Sequence, residues 1–268
     1  MVAISLHSVV PVRTEPREGA EQSTQMLFGE LCSVLEQKPR WNRVKLNLDG
    51  QEGWVDAKMI TPMSDEEYRT YSKALSSAAT VVFPMAYAVS ENNGQTIPLS
   101  AGTKITNYQI QITNGASIAR FEVLGVGFRI DPNMVRTAPL EMNQESLLQA
   151  VRFFLNIPYL WGGKNAMGMD CSGFTQTVMG LFGKYLLRNA SEQVTQGEAV
   201  ASLGEAQAGD LVFFDHEDGK ISHVGIVIDS ERVIHCSGRV KVEKLDESGI
   251  FSAERGEYTH HLVAIRRY

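Results

Sequence analysis

The chain has 268 residues, of which 43% are hydrophobic and 21% charged, and its formal net charge is −6. That length exceeds one domain of roughly 100–200 residues, and the composition is globular, which excludes a disordered or collagen-like chain. The acidic balance lacks the basic excess that neutralises phosphates, so nucleic acids and anionic membrane surfaces are not expected partners.

The chain opens with MVAISLHSVVPVR, which has no basic segment ahead of its apolar residues, so no secretory signal is read there. The longest apolar stretch, Val81 to Val89, falls short of the ~20 residues a bilayer span needs, and Pro84 interrupts it. No membrane insertion is expected. A cytoplasmic chain is the reading, with a periplasmic or secreted chain that has lost its signal as the alternative.

Residues 1 to 135 read as β-structure. SLHSVVPVR, RVKLNLDG and GWVDAKMI combine β-branched or aromatic residues with partial alternation. Turn signals separate them at Glu18-Gly19, Asp49-Gly50, Asn93-Gly94 and Asn114-Gly115. The polar segment Pro62 to Ser77 divides the region and predicts a short helix, opened by Ser64 with Glu67 three residues on as a capping box. Two small β-barrels follow from this pattern, over about 3–60 and 80–135.

The pattern then changes. Asn143 is a plausible N-cap for a helix with Leu147, Leu148, Val151, Phe154 and Leu155 on one face, ending near Asn156 before Pro158. A second helix starts at about Cys171 and buries Phe174, Val178 and Phe182. Strands are expected at Asp210–Phe214, His223–Ile228, Arg232–His235 and Leu262–Arg267. Helices followed by an antiparallel meander indicate an α+β domain.

Three cysteines, Cys32, Cys171 and Cys236, are too few for a disulfide scaffold, and none forms a CxxC pair. A lone cysteine is usually a small buried hydrophobe, the reading kept for Cys32 and Cys236. Cys171 differs because it stands where a helix starts, and unpaired N–H groups there lower a thiol pKa. His223 and His235, twelve residues apart, flank a hairpin turn at Asp229–Glu231 and fall on one face as neighbours. A cysteine, a histidine base and a polar orienting group are the parts of papain-like acyl transfer.

The competing readings are weaker. A zinc site could use both histidines with Asp215 or His216, but the cysteine spacing fits nucleophilic catalysis better. Gly162 to Gly168 lacks the terminal order of a phosphate loop, and Ser172 does not sit in GxSxG. His7, His260 and His261 read as surface residues. No metal or organic cofactor is implied.

Four ordered segments carry a resemblance: Tyr159-Leu-Trp-Gly-Gly163, Asp170-Cys-Ser-Gly-Phe174, Gly209-Asp-Leu-Val-Phe-Phe214 and Ser222-His-Val-Gly-Ile226. They resemble the successive signatures of the NlpC-type cell-wall cysteine peptidases, over about 142–268. The resemblance implies a papain-like domain in which Cys171 is the nucleophile, His223 the base and His235 the orienting group. It also makes Tyr159 an oxyanion-side tyrosine that assists the Cys171 backbone N–H. Arg13-Thr-Glu-Pro16 and Gln25-Met-Leu-Phe-Gly-Glu30 resemble the first SH3-like domain of the γ-D-glutamyl-L-diamino-acid endopeptidases.

That second resemblance implies a barrel that roofs the active site, with Glu30 and the aromatic Tyr68 holding a substrate ammonium. Trp161, Asp170, Ser172 and the segment Arg188-Asn189-Ala190-Ser191 resemble the remaining substrate-contacting positions. Asn189 departs from the family, which often carries aspartate there. The implied fold class is α+β, with SH3-like barrels at 1–62 and 78–138 before a catalytic domain at 139–268. The implied activity is hydrolysis of the γ-D-glutamyl–diamino acid bond in murein stem peptides with a free N-terminal L-Ala, by a monomer. The alternatives are an amidase or acyltransferase on another amide or ester, and a non-catalytic cell-wall binding protein.

Overall fold

The computed structural model describes residues 1–113, 116–215 and 219–268; the Asn114-Gly115 turn and His216 named above lie outside the described residues. Apolar residues at every second position give the start of the chain its strands: Val10, Val12, Val44, Leu46 and Val55 point inward and pack with Met26 and Cys32. These strands are β1 (Val2–Ile4), β2 (Val9–Arg13), β3 (Gln22–Leu27), β4 (Leu31–Gln37), β5 (Trp41–Leu46), β6 (Glu52–Asp56) and β7 (Thr61–Met63). They pair antiparallel in the order β3-β2-β6-β5-β4-β1-β7.

Helix α1 (Asp65–Leu75) follows, and its capping box has both halves. The Glu67 N–H donates to Ser64 Oγ at 3.2 Å, and the Ser64 N–H donates to the Glu67 carboxylate at 2.7 Å. Eight further strands complete this part: β8 (Ala79–Val81), β9 (Met85–Ser90), β10 (Thr96–Ser100), β11 (Lys104–Ile105), β12 (Gln109–Thr113), β13 (Ala116–Val123), β14 (Val126–Ile130) and β15 (Val135–Arg136). They form sheets of order β10-β9-β14-β13-β12 and β11-β8-β15. Ile4, Phe28 and Leu31 share one apolar core with Phe121, Phe128 and Ile130, so the two β regions pack on each other within one unit, Met1–Pro139. Phe121 stacks on Phe128 at 5.0 Å, and each such buried ring contributes on the order of 1.5–3 kcal/mol. Tyr71 of α1 ties in by donating its hydroxyl to the Gly29 carbonyl at 3.0 Å.

The second unit is Leu140–Tyr268. Its first helix, α2 (Gln144–Val151), is capped as expected: the Ser146 N–H donates to the Asn143 side chain at 2.9 Å. The helix ends earlier than the pattern predicts. Turns carry the chain from Val151 to Asn156, whose N–H donates to the Val240 carbonyl at 2.9 Å, so pairing with the sheet ends the helix. Phe154 is buried in these turns, which is why the helical spacing runs past the helix end.

A small ribbon of β16 (Lys164–Asn165) and β17 (Gly168–Met169) leads into α3 (Cys171–Leu181), and α4 (Ala190–Gln193) follows. The remaining strands are β18 (Glu198–Ala199), β19 (Leu211–Asp215), β20 (His223–Asp229), β21 (Arg232–Ser237), β22 (Arg239–Asp246), β23 (Gly249–Ser252) and β24 (Glu257–Arg267). They run β18-β24-β19-β20-β21-β22-β23, and β23 also pairs with β24, which closes six of them into a barrel. Strands β22 and β23 have no counterpart in the sequence expectation. Helix α3 is almost wholly buried and packs on β20 and β21. Among the described residues no helix is long and apolar enough to cross a membrane.

Candidate active site

Cys171 is the first residue of α3, and the residues around it are chosen to hold the helix start in place. Asp170 caps the helix by accepting from the Gly173 N–H at 2.6 Å. Its second oxygen accepts from the Gly162 N–H at 2.8 Å. Arg188, 1% exposed, grips both carboxylate oxygens at 3.0 and 2.7 Å and also donates to Ser172 Oγ at 2.9 Å. Gly173 is required by close approach, because a Cβ there would lie 2.1 Å from the Gly163 carbonyl oxygen. Loop 160–170 and the helix start therefore form one tightly packed corner.

The electrostatics of the thiol differ from the sequence expectation. Burial and the Asp170 charge push the Cys171 thiol up to about 12. The backbone N–H groups of Val224 and Ser172, and the Arg188 guanidinium, act the other way but do not prevail. The helix start orients the sulfur, while burial opposes its ionisation.

The two histidines meet through sheet register. Gly225 of β20 stands opposite His235 of β21, so His223 lies on the diagonal of the same face. A Cβ on Gly225 would meet the His235 Cβ at 3.1 Å and Val233 Cγ2 at 2.6 Å, so only glycine leaves room for His235 to reach across. His223 Nε2 and His235 Nδ1 are 2.8 Å apart with their rings nearly perpendicular. His235 is 0% exposed, and burial lowers its pKa against the pull of Glu243. Val224, whose N–H faces the Cys171 thiol, is the residue after His223 on β20, so sulfur and imidazoles share one corner.

Tyr159 pairs with Met169, next to Asp170, and its N–H donates to the Gly238 carbonyl at 2.9 Å. Burial and the nearby Cys171 and Asp170 charges push its phenol well above the usual range, which keeps it a donor. Trp161 is 60% exposed on the same loop. Asp170 and Ser172 are buried within the Arg188 network. Asn189 donates its backbone N–H and its amide to Glu192 at 3.0 and 2.9 Å, Ala190 is buried beside it, and Ser191 is exposed. Glu30 and Tyr68 belong to the N-terminal unit. Glu30 accepts from the Leu27 N–H at 3.1 Å, and Tyr68 packs half-buried on that unit's core. Cys236 is a buried packing thiol that donates to the Met169 carbonyl at 3.1 Å, and Cys32 fills the first sheet's core.

Two residues near the imidazoles have no place in the sequence expectation. Glu243 of β22 lies 2.8 Å from His235 Nε2. His260 of β24, expected on the surface, is 8% exposed and lies against His223 with ring centroids 4.2 Å apart. Its neighbour His261 is half-buried, and His7 is exposed as expected. The His-His pair straddles the sheet, so one ring faces inward, a consequence of strand alternation that the dipeptide itself signals.

Comparison with known proteins follows the division into units. Residues 156–258 match the NlpC/P60 family, and residues 12–60 match the bacterial dipeptidyl-peptidase Sh3 domain. The chain is 29% identical over 248 residues to a gamma-D-glutamyl-L-lysine dipeptidyl-peptidase of Bacillus subtilis (strain 168), covering 91% of this chain and 80% of that protein. A protein of the same description from Bacillus cereus (strain ATCC 10987 / NRS 248) is 26% identical over 228 residues, covering 79% of this chain and 66% of that protein. The crystal structure of an NlpC/P60 family protein from Bacillus cereus ATCC 10987 shares the fold over 100% of this chain and 99% of that one, with a TM-score of 0.82 at 20% identity. The chain thus carries an NlpC/P60 domain behind a bacterial dipeptidyl-peptidase SH3 domain, and it is a cysteine peptidase, a hydrolase.

Proposed function

We propose that this peptidase cleaves the γ-D-glutamyl–diamino acid bond of murein stem peptides that carry a free N-terminal L-Ala. The observation that carries the reading is the His223–His235 pair at 2.8 Å, with His223 on the strand whose Val224 N–H faces the Cys171 thiol. The substrate class draws on the relatives named gamma-D-glutamyl-L-lysine dipeptidyl-peptidase.

In this mechanism the protonated Cys171 thiol gives its proton to His223 as the sulfur attacks the γ-carbonyl of D-Glu. Burial raises the thiol pKa, which favours proton transfer in concert with attack. The unpaired backbone N–H of Cys171 and the Tyr159 hydroxyl receive the oxyanion. Collapse breaks the C–N bond, and His223 returns the proton to the leaving amine. Water, deprotonated by His223, then hydrolyses the thioester and frees Cys171. His235 orients His223 throughout.

Substrate recognition is assigned to Trp161 and Ser191, both exposed. Asp170 and Ser172 serve through Arg188, with Asn189 and Ala190 shaping the adjoining turn. A carboxylate that meets an ammonium makes a charge-assisted bond, and an N-acylated peptide forfeits it. The architecture behind this is a papain-like catalytic domain at 139–268 with SH3-like barrels at 1–62 and 78–138, acting as a monomer in the cytoplasm. Incubation with L-Ala-γ-D-Glu-diaminopimelate and its N-acetyl form, followed by mass analysis, tests the proposal. L-Ala-D-Glu released from the free-amine peptide alone supports it; equal cleavage of both removes the amine requirement, and cleavage of neither removes the substrate.

A further inference from the structure

The buried His235 stands between two partners whose chemistry dictates where its proton sits. On β22 Lys241 is in register with His235, and Glu243 lies two residues further along the same face. Glu243 Oε2 is 2.8 Å from His235 Nε2, and Lys241 Nζ is 3.1 Å from Glu243 Oε1. Lys241 in turn lies 3.9 Å from Glu254. We propose that Glu243, itself held by Lys241, is a positioning residue that fixes the tautomer of His235 and, through it, that of His223. The inference rests on the assignment of Cys171, His223 and His235 as the reacting set.

The reasoning follows from donors and acceptors. Burial raises the Glu243 carboxyl, but hydrogen bonding from His235 and Lys241 overrides that and pulls it down to about 2. As a carboxylate it only accepts. Burial lowers the His235 pKa and so favours the neutral ring with a single N–H, and the carboxylate 2.8 Å away puts that proton on Nε2. Nδ1 of His235 is then an acceptor, and the 2.8 Å bond to His223 requires His223 to donate from its own Nε2. His223 is left with Nδ1 as the nitrogen that takes and returns a proton. A carboxylate on a neighbouring strand thus decides which atom of the base does the chemistry.

Lys241 makes this testable, because an ammonium has donors only. In Glu243→Gln the amide must turn its oxygen to Lys241, which leaves its NH2 facing His235 Nε2. His235 must then move its proton to Nδ1, and His223 must accept at Nε2 and carry its proton on Nδ1, where it cannot receive the thiol proton. A wrong-tautomer substitution in a Ser-His-Asp triad costs about 10⁴ in kcat. Here kcat is expected to fall by about 10²- to 10³-fold with KM nearly unchanged, since the substituted side chain does not touch substrate. Lys241→Met in the Glu243→Gln background frees the amide to present its oxygen to His235, and kcat should recover at least about tenfold.

The deciding readout is the long-range ¹⁵N–¹H spectrum of histidine side chains, which distinguishes the tautomers without turnover. The wild-type protein should show His235 protonated on Nε2, and Glu243→Gln should show it on Nδ1. A wild-type His235 protonated on Nδ1, an unchanged tautomer in Glu243→Gln, or a double variant no more active than the single one would overturn the proposal. The wild-type spectrum alone decides if the variants fail to fold. Failure of the catalytic assignment would instead appear as turnover that survives loss of the Cys171 thiol.

Discussion

The two halves of the candidate active site are built on opposite electrostatic plans. The cysteine half is held by a buried ion pair: Asp170 caps α3, and Arg188 saturates its carboxylate. The histidine half contains two imidazoles placed by strand register, one with its pKa lowered by burial and joined to a carboxylate at its far end. The first half fixes a position and raises the thiol pKa. The second half fixes a direction for the proton. Damage to the first should therefore register mainly as lost stability, and damage to the second mainly as lost turnover.

The largest stability effect is expected on the cysteine side. Asp170→Asn leaves Arg188 buried without its countercharge, which should cost about 3–5 kcal/mol in urea unfolding, as for other broken buried pairs. A loss below about 1 kcal/mol would mean that the ion pair does not hold the helix start. On the histidine side, Gly225→Ala drives a methyl against His235 and Val233, at an overpacking cost of about 1–3 kcal/mol. Its signature should be kinetic, because misplacing a catalytic group by about 1 Å can cost 10²-fold in rate. If kcat stays at the wild-type value, register does not set the imidazole pair.

Smaller effects sharpen the contrast. His260→Leu removes the ring against His223 and should lower stability by about 0.5–1.5 kcal/mol with turnover reduced less than tenfold. Complete loss of turnover would instead place His260 in the proton path. The smallest effect near neutral pH belongs to Cys32, whose thiol burial and the Glu30 charge push up to about 12 from 9.0. Below pH 9 both folded and unfolded chains keep this proton, so its contribution to stability is whole. Between pH 9 and about 12 only the unfolded chain loses it, and stability falls as pH rises. Cys32→Ala should flatten that fall in chemical denaturation at pH 9 to 11; an unchanged slope would contradict the linkage.

How much of this was legible in the sequence depended on whether the signal was local. The capping box at Ser64, the cap at Asn143 and the Asp170-Cys171 helix start are short patterns with local hydrogen bonds, and each is visible in a few residues. His223 and His235 lie on strands joined by a tight turn, so alternation sufficed to bring them together. Glu243 was missed because strand β22, Arg-Val-Lys-Val-Glu-Lys-Leu-Asp, carries charges at alternate positions and reads as solvated. Its partner is set by the pairing of β21 with β22, which no short window contains. Arg188 was legible only as part of a substrate segment, since its burial runs against the ordinary exposure of arginine. The end of α2 was misjudged for the opposite reason: Phe154 kept the helical spacing while the sheet took the backbone.

The central claim is that the Cys171 sulfur carries the acyl group. Its most direct test is the hydrolysis of L-Ala-γ-D-Glu-diaminopimelate by Cys171→Ser, an exchange of sulfur for oxygen at a position where the cap and the ion pair remain intact. The account predicts an unchanged melting temperature and a loss of turnover by at least about 10³-fold, because the serine hydroxyl is a far weaker nucleophile. Turnover within tenfold of wild type would contradict it.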